Sequence, residues 1–334
     1  MRVAVARLST TPTRRFSPPG GTVLRPARNS RRLRNSSALA AVAVGAALAL
    51  TSTTAQAATP APKHYVALGD SYAAGAGVPG QSAGLCLRSD HNYGHLVAAS
   101  LGAGGYTDVT CAAAKVKAMT QPQYDAFIRV NDPQLDSVSA DTDLVTLGIG
   151  GNDLATSDLG LGELVATCIA GAAVNPLGTP CKDVYHHGYW DWSSWSWQYG
   201  NDDLAERINT TIAPQIATTL RQIHTKAPKA KVLLVGYPSV LPADGSTCVL
   251  RQPVTPGDVE YMHGVLDKLN AALKSTAAAN GATYVDTATP TRGHDVCSDD
   301  RWIEGALPGS PAVPFHPNAT GEKVMADAVL AALR

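Results

Sequence analysis

Five short apolar runs punctuate the chain at spacings that leave little choice of architecture. They read YVALG (65–69), TDVTC (107–111), LVTLGIG (144–150), KVLLVGY (231–237) and ATYVDT (282–287). Several are continuous rather than alternating, as expected for strands covered on both faces. Helical patterns fall between them. Leu204, Ile208, Ile212, Ile216, Leu220 and Ile223 recur every three or four residues, an apolar stripe expected to bend at Pro214. Val259, Met262, Leu266, Leu269 and Leu273 make a second stripe, and Ala319 to Leu333 a third behind Pro317-Asn318. Strands alternating with helices predict an α/β fold, a three-layer α/β/α sandwich around a five-stranded, mainly parallel sheet. No internal repeat is visible.

Residues 1–57 lie outside this alternation. They hold nine arginines and no acid, then the 13-residue apolar run ALAAVAVGAALAL, then AQA at 55–57. A basic region, an apolar region and a small-residue site describe a secretory signal peptide, with cleavage expected after Ala57. The apolar run is short of the roughly 20 residues that span a bilayer, so no permanent membrane anchor is expected. The basic region is long. Either SRRLRN (30–35) is a loose twin-arginine signal, or the start lies downstream, for example at Val23. The segment reads as an export signal by either route.

Of 27 basic residues, removing those nine arginines leaves 18 against 27 acids, a net charge of −9 over the remaining 277 residues. That excludes a basic nucleic-acid footprint. Residues 58–334 suffice for one large domain. Two stretches near 155–200 and 238–257 read as insertions on it, since neither has enough apolar residues for its own core. The first carries YWDWSSWSW (189–197). Trp190, Trp192, Trp195 and Trp197 suit a lid, an acyl-chain contact or a carbohydrate-stacking surface. The expectation is plainer: they pack this long loop onto the sheet, because large aromatics mostly serve burial.

All six cysteines, Cys86, Cys111, Cys168, Cys181, Cys248 and Cys297, follow residue 57. An even count in an exported chain reads as three disulfides, with 15 possible pairings. Zinc is the competing reading, but no C-x-x-C pair exists and His186 and His187 are adjacent. No metal is expected.

In open parallel sheets, sites form outside the carboxyl ends of strands. Three strand ends here are polar or small: Gly69-Asp70-Ser71, Cys111-Ala112-Ala113-Ala114 and Gly150-Gly151-Asn152-Asp153. His316, in PFHPNATG, precedes the last helix. Each residue has an ordinary explanation. Ser71 suits a helix cap, Asn152 a turn and His316 a helix-leading surface position. Together they suit acyl transfer, which needs a nucleophile, a base within reach and donors for an oxyanion.

Gly-Asp-Ser, Gly-Gly-Asn-Asp and His-Pro-Asn, in this order, resemble blocks I, III and V of the SGNH (GDSL) hydrolases. The six cysteines and GHDVCSDDRWIEG (293–305) are similar to those of secreted actinobacterial esterases and lipases, and the resemblance covers nearly all of residues 58–334. It implies the SGNH, flavodoxin-like sandwich, with Ser71 as nucleophile and His316 as base. The backbone N–H groups of Ser71 and Ala113 and the Asn152 amide would form the oxyanion hole, and Asp70 would be structural. It also carries the expectation that cysteines pair in sequence order, Cys86–Cys111, Cys168–Cys181 and Cys248–Cys297. Two positions depart from the pattern. Ala113 stands where block II usually has glycine, which matters if the backbone there has positive φ. Val313 stands where an aspartate usually precedes the histidine by three residues. No acid lies between Glu304 and His316, so a Ser-His dyad is expected, with the Val313 carbonyl orienting the imidazole.

The reading is a secreted, monomeric carboxylic-ester hydrolase acting on small acyl esters or lipids, without cofactor or nucleic acid. The alternatives are a polysaccharide deacetylase using the same site, and a non-enzymatic glycan- or cell-wall-binding protein on a degenerate scaffold.

Overall fold

A computed structural model describes residues 61–334, apart from Ala126, Gly188 and Tyr199. The expected signal peptide and its cleavage site lie outside the described residues. In chain order the elements are β1 (His64–Gly69), α1 (Ser71–Ala74), α2 (Tyr93–Leu101), β2 (Gly105–Asp108), β3 (Gln123–Asp125), β4 (Ile128–Asn131) and β5 (Leu144–Gly148). Then come α3 (Leu161–Val174), α4 (Pro180–Tyr185), β6 (Tyr189–Asp191), β7 (Ser196–Gln198), α5 (Asp203–Arg207) and α6 (Ala213–Lys226). The chain ends with β8 (Lys231–Val235), α7 (Pro256–Ala279), β9 (Thr283–Val285), α8 (Ala288–Thr291) and α9 (Ala319–Ala332).

The sheet runs β2-β1-β5-β8-β9, with every neighbouring pair parallel. Burial on both faces explains why its strands read as continuous apolar runs. Val66, Leu68, Val145, Leu147, Val232 and Leu234 face one core, packed with Ile216 and Leu220 of α6 and Leu269 and Leu273 of α7. Tyr65, Ala67, Leu144, Leu233 and Val235 face the other, with Val97 of α2 and Val329 of α9. This is the three-layer α/β/α sandwich that the alternation predicts.

Four of the five strands end two or three residues before the expected run does, at Asp108, Gly148, Val235 and Val285. At β2 the Val109 and Cys111 N–H groups still reach the Ala67 and Gly69 carbonyls (both 3.1 Å), but the Gly69 N–H that would continue the ladder goes to the Gln134 side chain at 2.7 Å. The stripe from Leu204 to Ile223 is wholly buried. It passes through a π turn over Ile208–Ile212 before Pro214 in the first turn of α6. A proline there would clash within a regular helix, and the wider turn accommodates it.

The three disulfides join Cys86–Cys111, Cys168–Cys181 and Cys248–Cys297. The first ties the loop after α1 to the chain leaving β2, and the second joins α3 to α4. The third holds the 238–257 segment to the loop after α8. Among the described residues no helix is long and apolar enough to cross a membrane.

The tryptophans do not pack onto the sheet. They sit on a separate antiparallel hairpin, β6–β7, in which Trp190 opposes Trp197. Trp192 and Trp195 are 71% and 73% exposed, Trp190 and Trp197 41% and 42%. The turn is closed from within, since Asp191 accepts from the Ser193 N–H and from the Ser193 and Ser194 hydroxyls. The rings contact one another instead of the core.

Candidate active site

The carboxyl ends of β1 and β5 meet at Gly69 and Gly148. A Cβ on Gly69 would stand 2.5 Å from the Gly148 carbonyl oxygen, so glycine is what lets the strands approach here. Gln134 continues the pairing with its side chain, accepting the Gly69 N–H (2.7 Å) and donating to the Gly69 carbonyl (2.9 Å). The chain then turns into α1, capped by Asp70, which accepts the Tyr72 N–H at 3.0 Å. The second Asp70 oxygen accepts the Tyr237 hydroxyl at 2.5 Å. Burial raises this carboxyl to about 7, against the bonds from Tyr237 and Tyr72. Asp70 is thus tied into the scaffold, in keeping with a structural role.

Ser71 opens α1, and its Oγ lies 2.7 Å from Nε2 of His316. The other ring nitrogen, Nδ1, is 2.8 Å from the carbonyl oxygen of Pro314. A carbonyl only accepts, so Nδ1 carries the proton and Nε2 is left to accept from Ser71. The expected partner was Val313. Its carbonyl instead accepts the His316 backbone N–H (3.1 Å), while its own N–H donates to Ala76 (2.9 Å). The reason is local: Phe315 adopts φ 63°, in the left-handed region, and the turn aims the Pro314 carbonyl at the ring.

Tyr72 fixes this loop from below. Its ring stacks on the imidazole with centroids 4.6 Å apart, and its hydroxyl donates to the Phe315 carbonyl at 2.7 Å. Sequence reasoning passed over Tyr72, although it directly follows Ser71. Among the described residues no carboxylate bonds to the His316 ring. Asp295 accepts the Cys297 N–H. Glu304 accepts from Asn318 (2.9 Å), the Ser310 hydroxyl (2.6 Å) and the Gly309 N–H (2.6 Å). Burial opposes the Glu304 charge, but those donors outweigh it and hold its carboxyl below the usual range. For His316 burial dominates. It pushes the imidazole down to about 4, against the Pro314 carbonyl bond.

Asn152 lies on a 3-10 turn, Gly151–Leu154, that follows β5. Its amide donates to the Ala114 carbonyl (3.0 Å) and accepts the Leu161 N–H (3.0 Å), leaving one donor hydrogen. This fixes Asn152 beside the Ala113–Ala114 segment. Asp153 fastens the same two segments by accepting the Val116 N–H at 3.0 Å. Ala113 has φ 58°, the conformation in which glycine would be unstrained. Among the described residues, the backbone N–H groups of Ser71 and Ala113 have no hydrogen-bond partner.

A cavity of 280 Å³ opens beside Tyr72 and His316, between α3, α7 and the 313–316 loop. Its walls include Leu161, Val165, Leu241, Val254, Met262 and Leu266, almost entirely apolar. On the Ala113 side lies a wider opening lined by Leu85, Lys115, Gln123, Tyr124 and Leu159.

A serine hydroxyl against a neutral imidazole, at the carboxyl edge of a parallel sheet, is an arrangement suited to a serine hydrolase on an α/β/α scaffold. Comparison with known proteins narrows the class. The profile of the GDSL-like Lipase/Acylhydrolase family matches residues 67–324, and the chain belongs to that family as a lipase/esterase. It is 41% identical over 290 residues to Lipase 2 of Streptomyces coelicolor, covering 84% of this chain and 90% of that one. The fold is similar to phospholipase A1 from Streptomyces albidoflavus NA297, with TM-score 0.62, 27% identity and coverage of 81% and 97% of the two chains. It is also similar to an extracellular lipase from Streptomyces rimosus, with TM-score 0.60, 26% identity and coverage of 80% and 99%.

Proposed function

We propose that this enzyme cleaves acyl esters through a Ser71–His316 dyad. The 2.7 Å contact between Ser71 Oγ and His316 Nε2 carries the reading. As Oγ attacks the ester carbonyl carbon, its proton passes to Nε2. The C–O bond to the leaving alcohol then breaks, and Nε2 returns the proton to that alcohol, leaving an acyl-Ser71 ester. Water, deprotonated by the same nitrogen, attacks this ester; the acyl C–Oγ bond breaks, Nε2 returns the proton to Oγ, and the carboxylic acid leaves with Ser71 restored. The Pro314 carbonyl keeps Nδ1 protonated throughout and accepts its bond as the imidazolium forms. The N–H groups of Ser71 and Ala113 and the free Asn152 amide hydrogen act as oxyanion donors. Losing one such donor typically costs about 2.7–4 kcal/mol of transition-state stabilisation.

The apolar cavity beside His316 supports a substrate with an aliphatic acyl chain, hence a lipid-like ester rather than an acetylated polysaccharide. Three disulfides and the basic-apolar-AQA order of residues 1–57 support export, with cleavage near Ala57 and action outside the cell. The test is Ser71→Ala. It is expected to remove p-nitrophenyl ester hydrolysis with an unchanged melting temperature, while a serine-directed phosphonate labels the wild type once, on the peptide containing Ser71. Labelling elsewhere, or activity retained in the variant, would remove Ser71 from the mechanism.

A further inference from the structure

Sixteen large apolar side chains are exposed among the described residues, and their distribution along the chain is uneven. Two, Leu85 and Leu87, follow β1. Three (Tyr124, Phe127 and Ile128) lie on the β3–β4 hairpin that follows β2. Eight lie between Leu159 and Trp197, after β5. Val249 and Leu250 follow β8, and Leu307 follows β9. None lies on α2, α6, α7 or α9, or in the segments that lead from those helices back into the sheet. In a parallel sheet the segments leaving the strands gather at the carboxyl edge, where Ser71, Asn152 and His316 stand. Two bonds hold the hairpin after β2 to that edge: Gln123 donates to the Ala112 carbonyl at 2.6 Å, and Asn131 to the Val109 carbonyl at 2.8 Å. Scattered exposed apolar residues need no explanation, but their confinement to the segments that follow the carboxyl ends of the strands does.

We infer that this face docks on a zwitterionic lipid surface, with the tryptophan hairpin as its ridge. The inference rests on the lipid-ester reading of the site and adds that the substrate is met as an aggregate. Two observations select the occupant. Trp190 and Trp192 meet edge to face at 6.1 Å and 74°, and Trp192 and Trp195 at 5.8 Å and 82°. Rings set nearly perpendicular make a ridge rather than the flat strip on which a glycan chain would stack. Tryptophan suits the water–lipid boundary, where an apolar ring and a polar N–H are both satisfied. The charge balance of 18 basic against 27 acidic residues over 58–334 opposes an anionic surface, which leaves a zwitterionic or neutral one. The same insertion that carries the hairpin also walls the apolar cavity through Leu161 and Val165.

Four of the five tryptophans lie on the hairpin, so intrinsic emission reports it directly. Ser71→Ala protein, which leaves the lipid intact, is mixed with unilamellar dioleoyl-phosphatidylcholine vesicles. A shift of emission to shorter wavelength, quenching by brominated acyl chains and co-sedimentation with the vesicles are expected. In the active protein, Trp192→Ser with Trp195→Ser is expected to lower hydrolysis of vesicle phosphatidylcholine at least tenfold and leave p-nitrophenyl acetate hydrolysis within twofold. Unshifted emission with the protein left in the supernatant would overturn the inference. So would binding to insoluble acetylated xylan in place of vesicles, or a dimer that the tryptophan substitutions dissociate. Failure of the wild type to cleave p-nitrophenyl acetate would overturn the catalytic reading alone, because the vesicle measurement uses the Ser71→Ala protein.

Discussion

In the proposed mechanism His316 acts as a base only when neutral, and its surroundings keep it neutral well into acid. Burial lowers its pKa from 6.5 to about 4. The acidic limb of kcat/KM for p-nitrophenyl acetate, which reports the free enzyme, is therefore expected near pH 4. A limb near 6.5 would show an imidazole stabilised in its charged form, as a carboxylate partner would do. The sign for stability follows from the same shift. Between pH 6.5 and 4 the unfolded chain binds a proton at this site that the folded chain does not, so this group weakens folding as the pH falls through that window. Glu304 tests the dyad from another side. It is bonded to Asn318, Ser310 and Gly309 rather than to the ring. Glu304→Gln leaves the Gly309 N–H without its acceptor, so unfolding by urea is expected to become easier by about 1–3 kcal/mol. Activity is expected to stay within tenfold. A fall of about 10⁴ in kcat/KM, the size seen when a triad aspartate is neutralised, would mean that a carboxylate serves the histidine after all. Ser71, Asn152 and His316 were legible in the sequence as candidates because their side chains sit in recognisable blocks. The orienting carbonyl was not, because the choice between Val313 and Pro314 depends on the φ of Phe315, which no residue type there encodes.

At the scale of elements, the five strands were legible because burial on both faces writes itself as unbroken apolar runs. The end of β2 was not, because it depends on the Gln134 side chain, far along the chain, taking the Gly69 N–H that would continue the ladder. The hairpins were harder still. Their strands are three or four residues long, with no apolar alternation deep enough to separate them from loop. The tryptophan hairpin misleads for a further reason, since aromatic content argues for burial unless a surface function intervenes. Helix α3 offers a direct test of the cavity. Gly162 lines it, and a Cβ built there meets nothing within 4 Å. Gly162→Phe should place a ring in open space without moving the backbone. Within a p-nitrophenyl series from acetyl to decanoyl, each methylene that the wild type buries is worth up to about 0.8 kcal/mol, roughly fourfold in kcat/KM. The variant is expected to lose at least tenfold on the longer esters and keep acetyl hydrolysis within twofold. Equal losses at every length would place the acyl chain elsewhere, with the wider opening beside Ala113 the next candidate.

Across the whole molecule, the disulfides and the site share the same loops. Cys86–Cys111 holds the segment leading to Ala113, Cys168–Cys181 holds α3, and Cys248–Cys297 holds the segment that supplies Leu241 and Val254 to the cavity. None of these segments is a strand of the sheet, and cross-links work there beside a few backbone bonds, such as Ala112 N–H to Cys86 and Val296 N–H to Val240, and side-chain bonds to backbone. Gln252 shows the last kind, donating to the Val296 carbonyl (2.6 Å) and accepting the Ala306 N–H (2.9 Å). The sequence separations of 49, 25 and 13 residues set an order of stabilisation. Constraining an unfolded loop of each size is worth about 4.1, 3.5 and 2.9 kcal/mol respectively in the chain-entropy account. Replacing each pair by alanines and measuring urea unfolding is therefore expected to rank Cys248–Cys297 as the costliest loss and Cys168–Cys181 as the mildest. The Gln252 bonds should keep the 238–257 segment near its place in the first variant, so acetyl ester hydrolysis at 25 °C is expected to survive where stability does not. A reversed order would mean that the folded-state contacts of these loops, rather than the entropy of the unfolded chain, decide what each cross-link contributes.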